Sequence, residues 1–403
     1  MKIKEQVMPI ESPFHEQIDK RCTSKFYKSW AGYFSAISFD ICHEPEYHAF
    51  RQSVGVIDVT PLFKYDIQGP DAGVFLDRIM VKNVSTLKVG RVTYLCWCDD
   101  DGMIIDDGTV TRLNEDTFRV TAAEPSLSWF SQFSRGYNVA IEDISQKIAS
   151  LAVQGPLSRD LLKEIVGGNL EELKFFGSMP TTIAGFEGWV TRTGYTGDLG
   201  YEIWIDAANA NQVYSKIMEV GEKYRVMPCG IAALDVVRVE AGFIMNGVDY
   251  NSAHHCMVDC RKASPYEIGL GWCVKLDRAP FIGQSALKKI AQEGTERSFV
   301  GLDIDWVATE KVFEQYGLPP EIPMTAWRDG RPVYDQMGDW LGMATSGTWS
   351  PILKKNIAIA QIATPFAKEG TQVKIEMTAE YRRHQVLATV VKTPFYNPPR
   401  KRS

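Results

Sequence analysis

Two short stretches hold most of the reactive side chains. The first is Arg192-Thr193-Gly194-Tyr195-Thr196-Gly197-Asp198-Leu199-Gly200-Tyr201-Glu202, with glycines at 194, 197 and 200. It reads as a strand, a tight loop and a return strand. Glycine there lets a flat ligand approach the backbone, and Glu202 can accept two hydrogen bonds from paired N–H groups of a heterocycle. The structural alternative is a plain glycine-rich hairpin. The second stretch is Asp106-Asp107, just past the acidic turn Asp99-Asp100-Asp101-Gly102 and the apolar Met103-Ile104-Ile105. A carboxylate at the end of an apolar strand is partly desolvated, which raises its pKa and suits it to proton transfer. The alternative is a turn acid facing water. Tyr94 precedes this turn and is either a ring-stacking group or a core tyrosine. Asp235 and Arg238 sit three apart on an expected helix, the spacing of a structural ion pair.

These groups need elements to position them. Tyr65-Asp66-Ile67-Gln68-Gly69-Pro70 runs into an amphipathic segment, and Leu151-Ala152-Val153-Gln154-Gly155-Pro156 does the same. Each reads as strand, Gly-Pro turn and helix, so two related α+β subdomains are expected. Further helices are expected over 46–54, 212–224 and 230–242. From about 297 short strands dominate. The expected division is 1–290, two intertwined α+β subdomains, and 291–403, a β-rich domain.

Composition narrows the functional classes. The chain has 403 residues, 45% hydrophobic and 23% charged, with a net charge of −6. That balance argues against a nucleic-acid surface. No apolar run is long enough for a bilayer, and the N-terminus has no secretory apolar core, so no membrane partner and a cytoplasmic location are expected. The eight cysteines form no Cys-x-x-Cys pair, consistent with reduced thiols. His254-His255-Cys256 with Cys260 is the nearest approach to a metal cluster. Helical spacing would put Cys256 and Cys260 on one face, but no second ligand pair follows, and no metal is expected.

The order of motifs resembles the T-protein family of tetrahydrofolate-dependent one-carbon transferases, which includes glycine-cleavage aminomethyltransferase and several folate-dependent demethylases. The resemblance rests on Ile104-Ile105-Asp106-Asp107, Val153-Gln154-Gly155-Pro156, Arg192 to Glu202, Arg238-Val239-Glu240-Ala241-Gly242, Gly269-Leu270-Gly271-Trp272 and Ser350-Pro351-Ile352-Leu353-Lys354-Lys355-Asn356. It implies an α+β, three-domain ring around a central folate channel, with a C-terminal β-rich domain. It implies that Asp107 sits near the reacting folate nitrogens as the catalytic residue, with a swap of roles with Asp106 left open. Glu202 would hold the pterin, Tyr94 and Tyr195 would contact its ring, and Arg238 and Trp272 would complete the tetrahydrofolate contacts. The chain departs from the aminomethyltransferase pattern at Leu234, where an arginine is usual, at Thr60-Pro61-Leu62, and in an added stretch near 251–265. These departures favour a small methylated donor. Tyr27, Trp30, Tyr33 and Phe34 are either an aromatic box for its methyl cation or simply core. The alternative donor is an aminomethylated lipoyl carrier protein. A non-catalytic branch of the fold carries Lys-Gly-Cys-Tyr-x-Gly-Gln. The matching Arg278-Ala279-Pro280-Phe281-Ile282-Gly283-Gln284 lacks the cysteine, which argues against that branch.

Overall fold

The chain buries its apolar residues in two large sheets and a barrel, with strands such as Thr117–Ala122, Ile148–Gln154 and Lys355–Ala363 buried along nearly their whole length. A computed structural model describes residues 8–403. The first sheet is antiparallel, in the order Val92–Cys98, Ile104–Arg112, Thr117–Ala122, Phe63–Gln68 and Ala140–Asp143. The second runs Ser178–Ile183, Phe186–Thr191, Gly200–Asp206, Ile148–Gln154, Val54–Asp58 and Val226–Pro228, with only the last pair parallel. A closed six-stranded barrel begins at Arg297–Ile304 and returns to it through Arg382–Val391. This is the expected α+β architecture with a β-rich C-terminal body.

The repeat seen in the sequence has a physical basis. Strand Phe63–Gln68 leads through Gly69 to helix Ala72–Ile79, and strand Ile148–Gln154 leads through Gly155 to helix Ser158–Leu162. Both glycines have positive φ, +141° and +125°. A Cβ on Gly69 would lie 2.3 Å from the Asn138 carbonyl, and one on Gly155 2.4 Å from the Ser53 carbonyl. The two turns therefore admit only glycine, for the same reason in each sheet.

Helix Ile231–Glu240 is the central strut. Every residue in it is buried, so it carries no solvent face. It packs against the barrel strands Trp340–Ser350 and Lys355–Ala363 and against helix Glu44–Gln52. The sheets meet each other at an Arg91–Gly177 bridge and where the Arg119 guanidinium lies over the Trp204 ring, 5.5 Å from its centre. Residue 290 falls within helix Gln284–Glu293, whose Leu287 is buried with Cys98 and Ile104 of the first sheet. We propose the division 1–290 and 291–403, although residue 290 lies three residues before the end of that helix, because Arg297–Ile304 opens the barrel soon after it. The aromatic run near the N-terminus forms a hairpin, Phe26–Trp30 with Tyr33–Ser38.

Candidate active site

Adjacent residues on a strand point to opposite faces, and this separates the two aspartates. Asp106 is fully buried. Its Oδ2 accepts the backbone N–H groups of Ala123 (3.0 Å) and Glu124 (2.9 Å), and its Oδ1 accepts Asp107 N–H (2.9 Å) and Asn246 Nδ2 (2.8 Å). Asp107 is half-buried and meets two phenols. Tyr94 donates to its Oδ2 at 2.6 Å, and the Tyr250 hydroxyl donates to its Oδ1. Burial raises both carboxyls above the usual range, to about 7 at Asp106, where the charge of Asp107 adds to the rise. The hydrogen bonds of the two tyrosines pull Asp107 the other way. The partners decide where a proton sits. Asp106 takes three backbone N–H groups and the Asn246 amide, with the Tyr250 hydroxyl more distant at 3.4 Å, whereas Asp107 meets two tyrosine hydroxyls directly, and a hydroxyl can turn and accept. The two hydroxyls give Asp107 acceptors for a proton on either of its oxygens.

The segment Phe243–Tyr250 is the hub of the site. Asn246 reaches Asp106, Tyr250 reaches Asp107, and the Ile244 carbonyl accepts the Tyr195 hydroxyl. The Phe243 ring stacks on Tyr195 at 5.5 Å and 27°. What fixes this segment is Arg238, which has no exposed surface. Its Nε bonds Asp235 at 2.8 Å, the expected three-apart ion pair. Its Nη1 bonds Asp249 at 2.6 Å and the Phe243 carbonyl at 3.2 Å, and its Nη2 bonds Ser346 at 2.8 Å. The hydroxyls of Thr345 and Ser346 hold the other oxygen of Asp249, each at 2.6 Å. One buried guanidinium thus aims Tyr250 at Asp107. Sequence reasoning did not single out Tyr250, which lies 143 residues from its partner.

The glycine-rich loop needs its glycines for a different reason from the one its composition suggests. A Cβ at Gly194 or Gly200 would lie 2.0 or 2.1 Å from the Gln154 amide. Gln154 fills the space between the strands, donating to the Thr193 and Tyr201 carbonyls at 3.1 and 3.0 Å and accepting from Thr196 at 2.9 Å. Gly197 has φ +73°, and its Cβ would meet Ala241 at 2.5 Å. All three positions admit a neighbouring protein group, so the loop is an internally braced frame. Glu202 is half-buried on that frame. Its Oε2 accepts the Thr193 hydroxyl at 3.0 Å, and its Oε1 has no partner among the described residues. Burial raises its carboxyl, with Thr193 and the charge of Lys64 acting in the opposite direction. Trp272 is 58% exposed and stacks with Tyr94 at 6.2 Å and 22°. Direct contacts therefore join Trp272, Tyr94, Asp107 and Tyr250. Tyr195 joins them through Phe243–Tyr250, and Glu202 is tied to Tyr195 through their common loop.

Two expectations need correction. Residues 256–258 are irregular and follow a turn at 253–255, and Cys260 sits in the short 3₁₀ segment Asp259–Arg261, so no α-helix puts Cys256 and Cys260 on one face. The aromatic run also does not close into one box. Tyr27 packs edge-on against Phe34 and bonds Asp19 at 2.9 Å, while Trp30 packs against a different apolar cluster, the one that includes Leu234.

Comparison with known proteins bears on this arrangement. Residues 20–278 match the GCVT N-terminal domain, and residues 316–397 match the glycine cleavage T-protein C-terminal barrel domain. The chain belongs to the T-protein family. An aminomethyltransferase of Herpetosiphon aurantiacus is 34% identical over 355 residues, 87% of this chain and 89% of that protein. A trimethylamine-oxide aldolase of Ruegeria pomeroyi is 35% identical over 370 residues, 89% of this chain and 43% of that protein. The crystal structure of glycine cleavage system aminomethyltransferase T from Bartonella henselae superposes with a TM-score of 0.81. It has 24% sequence identity and covers 96% of this chain and 98% of its own, a likeness of fold. This T-protein family member is a folate-dependent transferase, with tetrahydrofolate as acceptor. Among the described residues no helix is long and apolar enough to cross a membrane.

Proposed function

We propose that the chain transfers an aminomethyl-derived one-carbon unit from a lipoyl carrier protein to tetrahydrofolate, with Asp107 as its proton-handling residue. The observation that supports this reading best is the convergence of the Tyr94 and Tyr250 hydroxyls on one carboxylate that, among the described residues, no cation pairs with. Tetrahydrofolate supplies a nucleophilic nitrogen when bound. The unpartnered Oε1 of Glu202 suits the paired N–H groups of a pterin, and the exposed Trp272 over Tyr94 suits its ring edge. Tyr195 lines the same pocket through its contact with Phe243. Asp107, protonated or ionised, exchanges a proton at the reacting nitrogen while its two tyrosines hold its orientation. Arg238, buried and fully engaged, acts at a distance from the ligand by positioning Tyr250. A cytoplasmic location remains part of this reading.

A small methylated donor is the second reading. Leu234 stands where aminomethyltransferases usually carry an arginine, and it packs with Trp30 and Leu62 in an apolar cluster. A relative of equal similarity is named for trimethylamine oxide, a small methylated compound. One assay separates the readings. The purified chain receives tetrahydrofolate with the aminomethylated carrier, and separately with small methylated ammonium and sulfonium compounds. Substituted folate formed only with the carrier supports the first reading, and product formed from a small donor without carrier replaces it with the second. Calorimetry with a tetrahydropterin tests the pocket itself. Glu202→Gln is expected to weaken binding about tenfold, and parental affinity in that variant would remove Glu202 from the site.

A further inference from the structure

The segment His254-His255-Cys256-Met257-Val258-Asp259-Cys260 is the tip of a compact loop. Both ends of that loop are tied to one residue. Ala253 N–H donates to the Ile104 carbonyl at 2.7 Å, and Ile104 N–H donates to the Ala263 carbonyl at 2.9 Å. From this neck the chain runs out to Met257, which is 95% exposed, and back. A loop with pinned ends and a free tip can change covalently without disturbing the body beneath it.

Two thiols stand on this tip. Cys256 is half-buried and Cys260 is exposed, whereas five of the other six cysteines are buried. A turn folds the two toward each other. The Cys256 thiol donates to the Val258 carbonyl at 3.3 Å, and Arg261 N–H donates to the same oxygen at 2.9 Å. That N–H belongs to the peptide bond following Cys260, so the Cys256 sulfur and the Cys260 backbone meet across one oxygen. With only three residues between them, each thiol holds the other at a high effective concentration. A metal does not account for the pair. Among the described residues no three histidine, cysteine, aspartate or glutamate side chains gather as a metal site. His254 instead packs edge-on against Trp129 and His255, at 6.2 and 5.0 Å.

We propose that Cys256 and Cys260 are a reversible oxidation site for low-molecular-weight disulfides. One loop thiol loses its proton and attacks the small disulfide. The S–S bond of that disulfide breaks, a mixed disulfide forms, and one small thiolate leaves and takes up the proton. The second loop thiol then attacks the mixed disulfide in the same way. The intraloop S–S bond forms and a second small thiol departs. The two cysteines are oxidised by two electrons, and one disulfide is reduced to two thiols. Accessible thiols react in this exchange, and buried ones do not. An exposed disulfide on a short loop is labile, so a small dithiol reverses the step.

Thiol mapping on the full chain tests this. The reduced chain, freed of reductant, is treated with glutathione disulfide, then unfolded, alkylated and mapped by mass spectrometry. The peptide carrying Cys256 and Cys260 should be lighter by two hydrogens and take no alkyl group at either cysteine. Cys42, exposed and far in sequence from any other cysteine, should carry glutathione and serves as the internal control. Dithiothreitol should restore alkylation at both loop positions. In Cys256→Ser, Cys260 should keep glutathione, because no neighbouring thiol displaces it, and Cys256 should do the same in Cys260→Ser. Both variants exchange a loop thiol for a hydroxyl and should melt with the parent. Three results in the treated parent overturn the site: alkylation of both loop cysteines, a separate glutathione on each, or a disulfide from either to a cysteine outside the loop.

Discussion

Two buried clusters of carboxylates lie in this molecule, and they are built in opposite ways. Around Arg51, every acid meets a guanidinium. Glu240 takes Arg51 Nε and Nη2 at 2.8 and 2.6 Å, together with the Tyr47 hydroxyl at 2.6 Å and the Ser350 hydroxyl at 2.5 Å. Asp198 takes Arg400 in a two-pronged bond of 2.7 and 2.9 Å. Around Asp106 and Asp107, the partners are amides and phenols, and among the described residues no cation pairs with either. A charge paired with a guanidinium keeps its protonation state and fixes geometry. A charge held only by neutral dipoles in a dry place exchanges its proton readily. The first cluster ties helix Glu44–Gln52, the glycine-rich loop and the chain's last residues together, and the second is equipped for chemistry.

The sharpest way to break this contrast is to exchange charge for amide in each cluster. Asp107→Asn should lower turnover by about 10²–10⁴-fold, the range for losing a positioned acid or base, while the variant still melts cooperatively and binds a tetrahydropterin. Turnover within threefold of the parent would show that the uncharged surroundings of Asp107 serve packing alone. Arg51→Met should do the reverse. It leaves Glu240 buried without its cation, which costs about 3–5 kcal/mol of stability, read from denaturant midpoints. Turnover measured well below the melting range should stay close to the parent value per folded molecule.

Stability against pH separates the clusters next. The folded-state pKa of the aspartate pair lies above the unfolded value, because burial penalises the charged form. The folded chain therefore holds more protons than the unfolded chain between about pH 4 and about pH 7. The stabilisation linked to this pair is present below the unfolded pKa and is lost as pH rises through that window. Asp107→Asn should flatten the decline and gain stability relative to the parent at pH 8. An unchanged slope would mean that the pair does not take up the proton assigned to it.

The sequence exposed the frame of the site more fully than its contacts. The Gly-Pro repeat was legible because Gly69 and Gly155 answer a local steric demand that shows in the residue type itself. Helix Ile231–Glu240 was legible from its helix-forming apolar residues and from Asp235 and Arg238 spaced three apart within them. The glycines at 194 and 200 were visible too, but their reason was not: the group they admit is Gln154, forty and forty-six residues upstream, and a glycine does not say what approaches it. Tyr250 was hidden for the same cause. Its role comes from Arg238 and Asp249 setting a turn against a strand of another sheet, and nothing within a local window records that. The distinction between Asp106 and Asp107 likewise needed the backbone amides at 123 and 124.

The finest comparison replaces one hydroxyl in each cluster. Tyr250→Phe removes a donor that favours the ionised form of Asp107, so the carboxyl should rise further and the corresponding limb of the pH–rate profile should move to higher pH. Turnover should fall about tenfold or less and stability by about 1 kcal/mol, since a phenyl ring fills the same space. Tyr47→Phe removes the matching donor from Glu240. It should cost a similar amount of stability, because an oxygen of a buried carboxylate loses a partner in both cases. Its pH–rate profile should superpose on the parent's, because Tyr47 touches Glu240 and not the reacting acid. Identical pH shifts in the two variants would show that the limb reports folding, and the contrast between a cation-paired cluster and a cation-free one would then have no bearing on catalysis.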